Sequence, residues 1–434
     1  MNKELECLEA VHTHTHTHTH TCNLKEKGVT LVALVVTIVV LLILAGVTIN
    51  LVVGQNGLIS KAKEAREKMQ NAEANEKTSM DSTSDWILEV ANGTELPQTN
   101  ETKPYMPGDG FIKVEGTNLA NGLTIQDIDG NQYVWVEVPM TEIVYPTAKL
   151  GITEFNEDEY TKIENDLHAY TMTYRKEKNE EETTFKDVWY EDITDQDDWY
   201  TSEQYTKQKQ KMLKSVYQNG GFWVARYEAG LTEENRRNSN SSEPTVVPKS
   251  EQNLIPYIFI TRTQAKKVAE MVQYTKREKV YKGSLMFGVQ WDLMLKFIEN
   301  KTIKTDASIV SKLNFDSTSI GNYKNNQWNI TNTLAKYSIN YGITFFACPY
   351  KRALDEDVLL TTGADNSFAL MNIYDIAGNV FEWTLEYTSN KNYPCTNRGS
   401  YCYSEGSGKP ASCRNISFTS NNGDSGFGFR ISLY

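Results

Sequence analysis

Histidine is nearly missing from most of this chain. Five of its six histidines alternate with threonine in one tract, His12 to Thr21, and the rest of the 434 residues hold only His168. A His-centred catalytic triad, or a zinc site of several imidazoles, is thereby nearly excluded from the body. Basic charge is also short: 44 Lys and Arg stand against 56 Asp and Glu, a net charge of −12. Nucleic-acid partners call for a basic face, so that class is set aside. Cysteine is sparse at six, with Cys348, Cys395, Cys402 and Cys413 in the body. Four cysteines admit two disulfides or four thiols, and spacing does not choose between them. Aliphatic side chains are scarce between Arg398 and Arg430, where Ser, Asn, Gly, Cys and aromatics dominate. Such a stretch cannot build its own core. It reads as a loop anchored at both ends, and ordered loops on rigid scaffolds are where binding and catalysis concentrate.

Hydrophobic runs are short with one exception. Val29 to Val53 is 25 residues without a charge. At about 1.5 Å per residue it spans a hydrocarbon core of about 30 Å. Lys25 and Lys27 precede it, which places the N-terminus in the cytoplasm and the body outside. Residues 1–28 are then a leader, whose His-Thr tract could hold a metal if extended but is assigned no function. Residues 54–78 read as an amphipathic stalk helix, with Ile59, Ala62, Ala65 and Met69 at helical spacing. Residues 79–109 read as a linker, and residues 110–434 as the body.

Within the body, Leu123 to Val138 reads as a hairpin turning at Asp129-Gly130-Asn131. Residues 150–210, acidic and rich in Tyr and Trp, read as a surface insertion. Gly220 to Ala229 reads as a strand. Thr261 and Gln264 form a capping-box pattern that opens a helix over 265–274. Residues 284–299 read as a second helix, with Phe287, Trp291, Met294, Leu295 and Ile298 on one face. Tyr374 to Trp383 is a turn running into a strand. Two helices among scattered strands predict an α+β fold rather than βαβ alternation.

At Asp375-x-x-Gly378-Asn379-Val380-x-Glu382-Trp383, then Arg398-Gly399-Ser400, then Gly428-Phe429-Arg430, the chain resembles the formylglycine-generating (sulfatase-modifying factor) superfamily. That resemblance implies an irregular C-type-lectin-like domain, a fold shared with the variable proteins of diversity-generating retroelements. Preceded by the apolar run, it gives an α+β C-type-lectin-like domain behind one long transmembrane helix. The family's calcium position falls on Asn379, Glu382 and the Val380 carbonyl. Its copper-dependent oxidases convert a target cysteine to formylglycine with a pair of tail cysteines. Cys402 lies near the first of that pair, but Ser407 stands at the second and Cys413 comes later. Cys402 and Cys413 are the catalytic candidates under that reading. A disulfide bracing the tail, or two unrelated thiols, are the other readings of the same residues. Lys25 to Leu31 resembles a prepilin leader cut between Gly28 and Val29, although Ala33 stands where pilins carry glutamate. A signal anchor accounts for the same segment.

The tail itself favours binding. Tyr401, Tyr403, Phe418 and Phe427 offer large rigid contact area, and Ser404, Asn415, Ser417, Asn421, Asn422 and Asp424 offer adaptable polar groups. This is the palette of antibody paratopes, and the retroelement-diversified proteins place it just before a Gly-Phe-Arg ending. With Cys402, Glu405 and Cys413 these residues make up the expected ligand site, residues 401–427. The expectation is a surface-displayed, membrane-anchored, non-catalytic binder of an extracellular protein or glycan, with no cofactor required. The oxidase and a minor pilin-like subunit assembling into a fibre are the alternatives.

Overall fold

The structure is a computed structural model that describes residues 102–175, 184–191, 198–417 and 423–434. The apolar segment 29–53, its processing point at Gly28 and Val29, and the stalk all lie outside the described residues.

The body is built around two sheets. In the first, six antiparallel strands follow the order Ile112–Lys113, Thr124–Gln126, Gln132–Glu137, Gly221–Ala225, Ile431–Leu433 and Ser284–Leu285. The hairpin expected from Asp129-Gly130 is there, with Thr124 opposite Val134 and Gln126 opposite Gln132. Asp127 Oδ1 accepts from the Asp129 and Asn131 amides and holds the turn. Gly221 is required where this sheet closes: a Cβ there would lie 2.4 Å from the Val136 carbonyl oxygen. Trp135 and Trp223 pair directly across the sheet and meet edge to face at 5.0 Å.

The second sheet has the strand Phe381–Thr388 at its centre. Cys395–Arg398 pairs antiparallel on one side and carries Arg414–Ser417 beyond it. Phe427–Phe429 pairs parallel on the other side, and Phe185–Lys186 pairs with the far end of the central strand. Glu382 therefore lies opposite Arg398 on one flank and Gly428 on the other.

Five helices cover these sheets among the described residues. Gly288–Thr302 packs against both Gln132–Glu137 and Phe381–Thr388, and nearly all of its first eleven residues are buried. Its indole anchor, Trp291, donates to the Ala411 carbonyl at 3.0 Å. Glu157–Tyr170 and Ser202–Asn219 pack on one another. The second of these opens on a complete capping box, Thr201 with Gln204, and ends at left-handed Gly220. Arg262–Ala269 opens on the expected capping box of Thr261 and Gln264. Ile309–Asn314 is a short fifth helix.

The α+β, C-type-lectin-like expectation with its leading transmembrane helix is corrected here. Among the described residues the chain is β-rich, with 22 short strands in seven sheets, and no helix there is long and apolar enough to cross a membrane. Two boundary errors share a cause. The capped helix stops at Ala269, because Gln273–Lys276 turns into a hairpin with Lys279–Lys282. Ser284 and Leu285 leave the second expected helix to pair with Ser432 and Ile431. In both places strand pairing overrides helical spacing. The segment 150–210 carries a helix that the sequence pattern hid. Asn156 caps it, and Glu157, Asp158 and Glu159 sit at its positive end, so the acids that suggested a solvated loop are first-turn residues.

Candidate functional site

The turn before the central strand positions the tail. Gly378 has φ +75°, and a Cβ there would meet the Asn322 carbonyl at 2.3 Å. Asp375 and Asn379 share the left-handed region, which both residue types tolerate. Asn379 is buried and fully engaged. Its Oδ1 accepts from Asn322 Nδ2 and the Leu360 amide, both at 3.0 Å, and its Nδ2 donates to Glu228 Oε2 at 2.6 Å. The Val380 amide donates to Glu228 Oε1. The Glu382 carboxylate is held by Arg430, at 2.6 Å from Nη2 to Oε1 and 3.0 Å from Nε to Oε2. The three residues assigned to calcium by resemblance are thus placed on internal bonds.

Buried ion pairs fix both ends of the tail. Arg430 also donates to the Ala225 and Tyr374 carbonyls. Arg398 donates to Asp292 at 2.8 Å and to the Cys413 carbonyl at 3.0 Å. Arg414 completes this second network by donating to Glu386 and Asp292. Two guanidinium groups against two carboxylates leave that cluster balanced. Around Arg430 the balance is different, because Glu228, Asp375 and Glu382 are all buried beside one cation. Burial raises Glu228 well above the carboxylate range, and the Asp375 and Glu382 carboxylates push it further. Burial likewise pushes Asp375 up to about 7, against the opposing pull of the Gly363 amide and Arg430.

The tail between these anchors is part core and part surface. Cys402, Ser417 and Phe427 are buried. Cys402 lies in a small apolar cluster with Ile258, Leu359 and Val380, and burial raises its thiol far above the usual range. Cys402 is a free thiol, so it forms no disulfide with Cys413 or Cys395. Ser417 Oγ accepts from Asn397 inside the sheet. Tyr401, Tyr403, Ser404, Cys413 and Asn415 are half-buried, and Glu405 and Asp424 are exposed. Phe418, Asn421 and Asn422 lie outside the described residues.

Aromatic rings join this surface to the interior. Tyr341 packs on Tyr403 at 5.3 Å, Tyr403 on Tyr401 at 5.2 Å, and Tyr401 stacks on Phe381 at 4.6 Å. Phe381 stacks on Phe427 at 5.6 Å, and Phe427 on buried Trp383 at 4.9 Å. The outer end is open, with Tyr341 56% exposed. Ile339, Ile343 and Phe346 are exposed on the same segment as Tyr341. Lys409 Nζ stands 5.1 Å from the Phe381 ring centre and 3.2 Å from Asn415 Oδ1. The Ser404 and Gly406 carbonyls accept from Lys324 and Ser317, which docks this part of the tail on residues 317–325.

The sequence pattern missed Tyr341, Ile343 and Lys409. Tyr341 and Gly342 form a turn with positive φ between Asn340 and Ile343, and the Asn-Tyr-Gly sequence was the available signal. Compared with protein-family models, curated proteins and solved structures, the chain matches none.

Proposed function

We propose that this protein binds a protein or glycan ligand without catalysis, through a surface formed by Tyr341, Tyr401, Tyr403, Glu405, Asn415 and Asp424. The observation that carries this reading is the continuous aromatic series, open at Tyr341 and seated on Trp383. Rings already held in place by stacking lose little freedom on binding. Polar groups of the tail accompany them: Lys409, which donates to Asn415 Oδ1, and Asp424, whose Oδ1 accepts from the Gly426 amide. Edge-to-face rings with adaptable polar neighbours suit sugar rings and protein side chains alike.

The oxidase reading has less support. Thiolate-copper chemistry needs an accessible, readily ionised sulfur, whereas Cys402 is buried in apolar surroundings that raise its pKa.

The test is an array of glycans and folded extracellular proteins, with hits quantified by interferometry. The wild-type chain is expected to capture members of one class. The Tyr341→Ala/Tyr403→Ala double variant is expected to lose capture while keeping its circular dichroism. A double variant that binds as before, or a wild type that captures nothing, overturns the proposal.

A further inference from the structure

We propose that Glu164, His168 and Asp187 form a binding site for a divalent transition-metal ion, with zinc the best match to one imidazole and two carboxylates. Glu164 and His168 stand four residues apart on the helix Glu157–Tyr170, which puts them on one face. Asp187 follows the strand Phe185–Lys186 and approaches from a separate element. One ligand atom from each of the three lies within 4.8 Å of the others.

The imidazole gives the second, independent indication. His168 Nε2 is out of solvent and has no hydrogen-bond partner among the described residues. It stands 4.0 Å from Asp187 Oδ2. That gap is too long for a hydrogen bond. It is within the span of one ion lying about 2.1 Å from each atom. A long contact with Asp187, serving as an ion pair only when the imidazole is protonated, satisfies this nitrogen poorly, and a bound cation would satisfy it better.

The surroundings are those of a prepared site. The Gly288 and Val289 amides, at the start of the helix Gly288–Thr302, donate to the two Asp187 carboxylate oxygens at 2.7 and 2.9 Å. They fix the carboxylate's orientation, as outer-shell donors do for metal ligands, and leave each oxygen a lone pair. Lys209 Nζ donates to Glu164 Oε2 and to the Asp187 carbonyl, both at 2.8 Å. The Lys209 ammonium, with the Arg175 guanidinium near Asp187, is the ion's competitor. A cavity of about 330 Å³, lined by Glu164, Lys209, Tyr160, Trp189 and Tyr205 among others, adjoins the site. It opens the Glu164 side of the site, although His168 and Asp187 do not line it.

The test uses the full chain with His12, His14, His16, His18 and His20 replaced by glutamine, because that tract can itself take up metal. Zinc is titrated into chelator-treated protein against a chromophoric chelator, and melting is followed with and without zinc. One zinc per chain is expected, with a raised melting temperature, because an ion that binds only the folded state stabilises it. Both effects are lost in His168→Ala. Cobalt(II) in place of zinc gives visible bands without strong thiolate charge transfer. If the parent takes up no zinc, or if His168→Ala binds as the parent does, the proposal is wrong. Should His168→Ala not fold, Glu164→Ala decides: weaker binding supports the site and unchanged binding overturns it.

Discussion

At the scale of single residues, the consequential feature is a surplus of buried acid. Glu228, Asp375 and Glu382 share one guanidinium, that of Arg430, with Asp365 also near Asp375. Asp375 has a folded-state pKa of about 7 against an ordinary value of 3.8. The folded chain therefore holds this proton more tightly than the unfolded chain does. Its contribution to stability is complete below about pH 4 and is lost as pH rises through 7. Asp375→Asn is expected to flatten the dependence of unfolding free energy on pH between 4 and 7. The change is at most about 1.4 kcal/mol per pH unit, the value for one proton. Urea unfolding at several pH values measures it, and an unaltered slope contradicts the assignment. The sequence showed that Arg398 and Arg430 bound the tail, because each sits in a short motif at one end of a stretch poor in aliphatics. It could not show that Glu382 answers Arg430, or that Asp292 answers Arg398. Those partners are 48 and 106 residues away, and no local pattern records a long-range ion pair.

At the scale of elements, starts were legible and stops were not. Thr261 and Gln264 announce the helix Arg262–Ala269 through a local reciprocal bond, and the bond is present. Its end depends on the hairpin Gln273–Lys276 with Lys279–Lys282, which is a matter of pairing rather than propensity. Thr261→Ala removes the side-chain acceptor for the Gln264 amide. It is expected to cost about 1 kcal/mol in urea unfolding. Thr261→Ser is expected to keep most of that stability, and equal losses in both variants would show that the cap bond is not responsible. The hairpin from Thr124 to Glu137 was legible for the same reason as the helix start, since its turn chemistry and alternation are local. The helix Glu157–Tyr170 was not, because three acids at its first turn mask a narrow apolar face of Ile163 and Leu167. The aromatic surface was half legible. Tyr401 and Tyr403 could be picked out by composition, but Tyr341 joins them only through the fold.

At the scale of the whole molecule, the first sheet is closed by strands far apart in the chain: Val224 lies opposite Ser432. The second sheet treats the tail in a particular way. Glu382 has Arg398 on one side and Gly428 on the other, so the loop leaves and returns across a single strand. Two strand spacings set its mouth at about 10 Å, whatever lies between. Ring-closure cost grows only with the logarithm of length. Four Gly-Ser residues inserted between exposed Ser407 and Gly408 should therefore lower stability by less than about 1 kcal/mol, as read from urea midpoints. A larger loss would mean that the loop interior helps to hold the sheet. Entry and exit are prescribed by the frame, and buried Cys402, Ala411 and Ser412 pin part of the interior to it as well, so freedom in length belongs to exposed positions such as Ser407 and Gly408, as slack in a tethered rope lies between its knots.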